Sequence, residues 1–406
     1  MKHILRIDLR TCAILSLLTV AAVPARAQGV APEQLLSRTG VNPTVAVDGH
    51  GGFVLGWQDV DVSHSSGIFA ATLPQGAQAP RKPFQVNTTT AGDQLFPDVA
   101  ADAEGRFVFV WQDRAFPGDV RGQTFGAGGG RQSPEVRLAA SSASDPLAAQ
   151  VAMEEGGDFV VAWVDNHSQR GAIKAARFSS HGSPLGGEID LKAQGMENNA
   201  ARVAAFPGGF AVGWSEIYDC PQGAPGGFVG AVGRFDSAGR RLGPVFRVGT
   251  PACFGPTLAG ALVALVGSQA GALALFFNGP SLLAQRFAAT GEPAAQLRVP
   301  FTPCTEGRCI FPAALTMDGS GRFAVIWESD DGNRFSLSVQ LFNPRGKPIT
   351  GRIAVSDDTS GSFETPAAAL ADDGTLAIVW RRQVGSVNAT DGLYLRRIAL
   401  GGKSGE

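Results

Sequence analysis

Carboxylates recur at one kind of place in this sequence. Asp59, Asp113, Asp165 and Glu216 each stand two residues after a tryptophan, Glu328 and Asp330 flank the matching position of a later copy, and Asp219 lies just beyond the fourth. Two carboxyl groups at a set separation are what acid/base cleavage of a glycosidic bond needs, so a pair from this set would suit a secreted carbohydrate-active hydrolase or lyase. They follow a repeat, however, and not a single locus, and a solvated acidic rim explains them better. The histidines His50, His64, His167 and His181 are too few and too scattered to complete a site. No serine nucleophile elbow, phosphate-binding loop or zinc spacing occurs. The chain therefore reads as non-catalytic, with no cofactor and no metal.

Calcium is weighed separately, because "DGHGG" from Asp48, "DAEGR" from Asp102, "DGSGR" from Asp318 and "DDGT" from Asp372 faintly resemble cation-binding loops. Calcium takes six to eight oxygen ligands. These segments supply one or two carboxylates each, which is ordinary Asp and Gly turn chemistry.

The compartment is read from the first residues. Lys2, Arg6 and Arg10 precede an apolar run from Cys12 to Ala22 and the small-x-small signal Ala25-Arg26-Ala27. Residues 1–27 read as a secretory signal peptide, leaving 28–406 as one exported domain, secreted or periplasmic. No later apolar run is long enough to span a bilayer, so no membrane insertion is expected. The whole chain has a net charge of −2. Losing the leader removes four basic residues and one acidic one, so the remainder is more acidic and has no basic stripe for nucleic acid.

The elements that must position the carboxylates come from the tryptophans. All six occupy one context, as in "GGFVLGWQD", "GRFVFVWQD" and "GDFVVAWVD", at Trp57, Trp111, Trp163, Trp214, Trp327 and Trp380, and Phe277 fills the position in a degenerate copy. Seven units of about fifty residues mean a propeller or solenoid. Each unit holds four strand-like pieces: an inner one such as "PTVAVD", the Trp strand, a third such as "IKAARF" and a short fourth such as "FRV". With 53 Gly and 25 Pro, the chain has turns enough for so many short strands.

The last unit lacks a fourth strand, while an unpaired "EQLLS" from Glu33 to Ser37 precedes the first. The ends complete each other in a closed ring, which removes the exposed edge of an open stack. The expectation is an all-β, single seven-bladed β-propeller of four-stranded blades, closed by the N-terminal strand. On the Trp strand, Phe107, Phe109 and Trp111 face one way and Val108 and Val110 the other, so both faces need covering by neighbouring blades. The Trp set and Phe277 thus read as blade-to-blade core and not as stacking platforms for sugars.

The unit P-x-V-A-x-D-x-x-G-x-F-V-V-x-W-x-D, clearest from Pro97 to Asp113, resembles a repeat of large secreted bacterial proteins read as propeller-forming. The resemblance spans nearly all of the exported part and implies architecture, not activity.

On such a ring, the connections after strands two and four read as the longer ones and hence as the binding face. Asp59, Asp113, Asp165, Glu216, Asp219, Glu328 and Asp330 fall there as candidate binding residues, with Cys220, Cys253, Cys304 and Cys309. An even count in an exported chain suggests disulfides, and spacing alone leaves three connectivities open. Blade positions favour Cys220 with Cys253 and Cys304 with Cys309, since the other pairings must reach between blades. They would brace a ligand platform or merely staple long loops. The function expected is an exported binding or scaffold module, monomeric, for an unknown protein or glycan partner.

Overall fold

The computed structural model describes residues 29–60, 65–114, 119–140, 147–165, 171–191, 193, 197–218, 227–249, 260–278, 281–299, 304–305, 308–330, 335–357, 362–383 and 391–400. The expected leader lies outside them, as do Asp219, Cys220, Cys253, His64 and His167.

The described residues form seven antiparallel sheets, and the first strands of successive blades touch in an unbroken ring, the seventh meeting the first. This is a seven-bladed β-propeller. Blade one is Val41–Val47, Phe53–Val60, Ser66–Leu73 and Phe84–Gln85, and the others repeat it. Six sheets have four strands; the sixth blade has five, because a two-residue strand Cys304–Thr305 pairs ahead of its first strand Arg308–Met317. No helix among the described residues is long and apolar enough to cross a membrane.

Closure follows the sequence expectation. Gln34–Ser37 pairs with Gly392–Ala399, Gln34 opposite Leu395 and Ser37 opposite Leu393, making the outer edge of blade seven. A further bridge joins Val30 to Ile398.

The core lies between blades. Trp111, Trp214 and Trp380 are fully buried, Trp57, Trp163 and Trp327 nearly so, and Phe277 partly, each within a cluster of apolar side chains. Gly56 shows how tightly blades fit: a Cβ there would lie 2.3 Å from the Phe109 ring of blade two, where no real contact can be.

In blades one, two and six, one carboxylate satisfies several backbone donors of the short turn after the first strand. Asp48 Oδ1 accepts from the N–H groups of His50 and Gly52, and Gly51 takes φ +78°, the left-handed region that glycine tolerates. Asp102 and Asp318 repeat this, and each also accepts from the Nε of an arginine, Arg106 or Arg322, at 2.6 Å. The connections after the third strands are long, from Leu73 to Phe84 in blade one, so loop length does not single out the opposite face.

Candidate functional site

Strand periodicity of two puts a residue two places after a tryptophan on the same face as the indole. The Trp57 Nε1 donates to Asp59 Oδ2 at 3.1 Å, and the Trp214 Nε1 to Glu216 Oε1 at 3.0 Å. Asp59 also accepts from the Ser37 and Thr39 hydroxyls, both at 2.5 Å. Glu216 is completely buried, holds Arg247 through both oxygens at 3.2 Å and accepts from the Tyr218 hydroxyl at 2.8 Å. Burial and that hydrogen bond push the Tyr218 hydroxyl up to about 12.

The other carboxylates of the Trp strands are met by cations on the neighbouring strand. Asp113 lies 2.8 Å from Arg121, which also binds Glu135 at 3.0 Å. With Asp113 drawn to Arg121, the Trp111 indole N–H has no hydrogen-bond partner among the described residues. Burial raises the Glu135 carboxyl, but the N–H groups of Thr89 and Thr88 outweigh it and hold Glu135 below its ordinary value. Asp165 lies 2.8 Å from Lys174, whose amine is held above its ordinary value chiefly by that hydrogen bond. Glu328 accepts from the Phe363 N–H of the next blade at 3.2 Å. Asp330 ends its strand, paired in register with Phe335 and Cys309.

Among the described residues, these carboxylates therefore bind within their own blade or across to a neighbouring one, and they are not brought together into one site. Cys304 and Cys309 are direct cross-strand partners.

What the ring does bring together is an axial cavity of about 670 Å³, lined by the inner strands of all seven blades. Its mouth opens among the turns after the first strands, the face opposite the one the sequence favoured. The mouth is acidic, and its carboxylates have partners. Glu154 pairs with Arg177 at 3.1 Å, Glu155 accepts from Gln269 at 2.7 Å, Asp372 from the Gly319 N–H at 2.6 Å and Asp373 from the Thr375 N–H at 2.8 Å. Among the described residues, no group of three or more His, Cys, Asp or Glu side chains is arranged to hold a metal ion.

Along the inner strands one register position differs from blade to blade, and of its residues Asp98 and Gln150 line the cavity. The inner-strand residue paired with the one just before each Trp is Thr44, Asp98, Gln150 and Arg202 in blades one to four, and Ala314 and Ala367 in blades six and seven. In blade five Val263 fills the place, beside a register shift. Four of these seven positions are polar and three apolar. Asp98 accepts from the Thr44 hydroxyl at 3.0 Å and from the Val151 N–H at 2.8 Å. Burial nonetheless raises its carboxyl to about 6, against the pull of these bonds and of the Arg202 charge. Burial lowers the Arg202 guanidinium. These residues were missed because each occupies the variable x of P-x-V-A; that variability inside an otherwise fixed strand was the available signal.

No family model and no curated protein matches the chain. Among solved structures it is similar to a protein of unknown function from Dyadobacter fermentans, at 11% identity and a TM-score of 0.50 over 90% of this chain and 97% of that one. It is also similar to an ulvan lyase of polysaccharide lyase family 25, at 12% identity and a TM-score of 0.55 over 91% and 97%. At such identities the likeness is one of fold alone.

Proposed function

We propose that the protein is an exported, non-catalytic binding module whose ligand, a glycan or a segment of protein, enters the axial cavity. One observation carries this reading: the carboxylates of the Trp strands are spent on indoles, cations and backbone N–H groups of the scaffold, while the cavity where all seven blades converge remains open. A concave site with a few placed polar groups is the ordinary form of a ligand pocket.

A second reading rests on Asp98. A carboxyl raised to about 6 lies near the range useful for general acid/base work, which would suit a carbohydrate-active hydrolase or lyase. The distant likeness to an ulvan lyase is compatible with it but adds no residue.

Glycan and cell-envelope binding screens, with chromatography of the ligand afterwards, separate the two. The binding module returns its ligand intact. Shortened or unsaturated products, lost in Asp98→Asn, would replace the first reading by the second.

A further inference from the structure

The outer edges of the ring are not alike. The fourth strands of blades one, three and six have two residues each, that of blade four has three, the N-terminal strand that closes blade seven has four, and that of blade two has five. Blade five ends in Pro293–Val299, seven residues long, and its one strand neighbour is Ser281–Phe287. Every second residue of such a strand turns its N–H and C=O away from that neighbour, a row of backbone groups that another strand can pair with. Short edges, as on the other blades, are a usual protection against such pairing, and this blade lacks it. Pro293 through Gln296 and Arg298 are exposed, while Leu297 packs against the core between blades five and six and Val299 is buried. The strand is thus held in place with its outer edge unpaired among the described residues.

The side chains along this edge suit a second copy of itself. Laid antiparallel about a two-fold axis at Gln296, the strand sets Gln296 against Gln296, Ala295 against Leu297, Ala294 against Arg298 and Pro293 against Val299. No like charges face one another, and Pro293, which has no N–H to give, falls at the end of the ladder. Glu292 stands just before the strand, diagonal to Arg298 of the second copy, and diagonal cross-strand neighbours lie within reach of long side chains. Glu292 is exposed, 3.7 Å from Arg234, and Arg298 makes no ion pair among the described residues. Two-fold symmetry makes the Glu292 and Arg298 contact twice.

We propose that the protein forms a two-fold dimer in which Pro293–Val299 of blade five pairs antiparallel with the same strand of a second copy. This replaces the monomer expected from the sequence, where the length of the edge cannot be read. The edge lies on the rim of the ring and the axial cavity among the inner strands, so the dimer carries two open cavities, and a ligand with repeated sites is held through both.

Sedimentation equilibrium of the whole exported chain, over a roughly hundredfold range of concentration, tests this. The native chain should pass from monomer to dimer. Gln296→Lys sets two ammonium groups opposite each other, and Arg298→Glu sets a carboxylate diagonal to Glu292; each should weaken the dimer roughly tenfold or more. Adding Glu292→Arg to Arg298→Glu reverses both charges and should recover most of the loss, which a general disturbance of blade five would not. Gln296→Lys and Arg298→Glu are surface changes, so at dilution their melting should match that of the native chain. On oxidation, Gln296→Cys should give a disulfide-linked dimer absent from the native chain, and Ala295→Cys, whose counterpart is Leu297, should not. A native chain monomeric throughout would overturn the proposal, and an extended peptide captured by that monomer and released by Gln296→Lys would assign the edge to a foreign strand instead. A dimer indifferent to both Gln296→Lys and Arg298→Glu would place the interface elsewhere. Linkage through Ala295→Cys and not through Gln296→Cys would overturn the register.

Discussion

Glu33 and Arg382, 349 positions apart in the chain, meet at 3.1 Å, and the other oxygen of Glu33 accepts from the Asp357 N–H at 2.7 Å. The contact ties the N-terminal segment to blade seven and to the end of blade six. It carries in one pair what the strand Gln34–Ser37 does along the whole edge.

Removing residues 28–40 should therefore lower the stability of the entire ring in one cooperative transition, and Glu33→Ala alone should cost about 1–3 kcal/mol by removing the pair with Arg382 and leaving the Asp357 N–H unmet. Urea unfolding measures both. A truncated chain that unfolds like the full one would refute closure by this strand.

The carboxylates of the Trp strands should behave as scaffold. Glu216→Ala removes a fully buried carboxylate from the Trp214 indole and from the partly exposed Arg247 and Tyr218, and should cost about 1–3 kcal/mol, as losing hydrogen bonds to a charged buried group does. Trp111→Ala should cost ~3–5 kcal/mol by emptying a large aromatic site. In both variants the fraction that remains folded should bind ligand with native affinity. A stable Glu216→Ala that has lost binding would place Glu216 in the recognition site instead.

Asp98 makes stability depend on pH. Its folded value, about 6, lies above the ordinary 3.8, so the folded state holds that proton more tightly than the unfolded one. Ionising it costs the fold: stability should fall as pH rises between about 4 and 6, by up to about 3 kcal/mol at about 1.4 kcal/mol per unit. Glu135, held low, acts in the opposite sense and loses its contribution only in stronger acid. Comparing unfolding of the native chain and Asp98→Asn at pH 4.5 and pH 8 isolates the first effect. The variant should lack that component of the decline, and an identical decline in both would contradict it.

Blade number, closure and the identity of the core were legible because they rest on short-range patterns: Trp at a fixed place in every unit, alternation along each strand, and a spare strand at one end matching a missing one at the other. The site was less legible. Asp59 and Glu216 looked exposed because they stand near strand ends, yet their period-two neighbours are indoles, and the cations facing Asp113 and Asp165 come from the next strand through cross-strand register. Asp98 and Arg202 lie 104 positions apart and feel each other's charge only through ring geometry. The fifth strand of blade six was hidden because it is two residues long.

That short strand bears on the cysteines. Residues directly opposite on antiparallel strands have Cα atoms about 4.5–5.5 Å apart, inside the range a disulfide spans. Cys304 opposite Cys309 should therefore form a disulfide in protein exported to an oxidising compartment. Non-reducing peptide mapping should recover the two on one linked fragment; Cys304 joined to Cys253 would refute it.

The most direct test of the binding-module reading is a crystal structure of the full exported chain with the best glycan or peptide from the screens. An unaltered ligand seated in the axial cavity, against the inner strands of several blades, is the predicted result. A ligand held on the outer loops near Asp59 and Asp113, or one found cleaved, would contradict it.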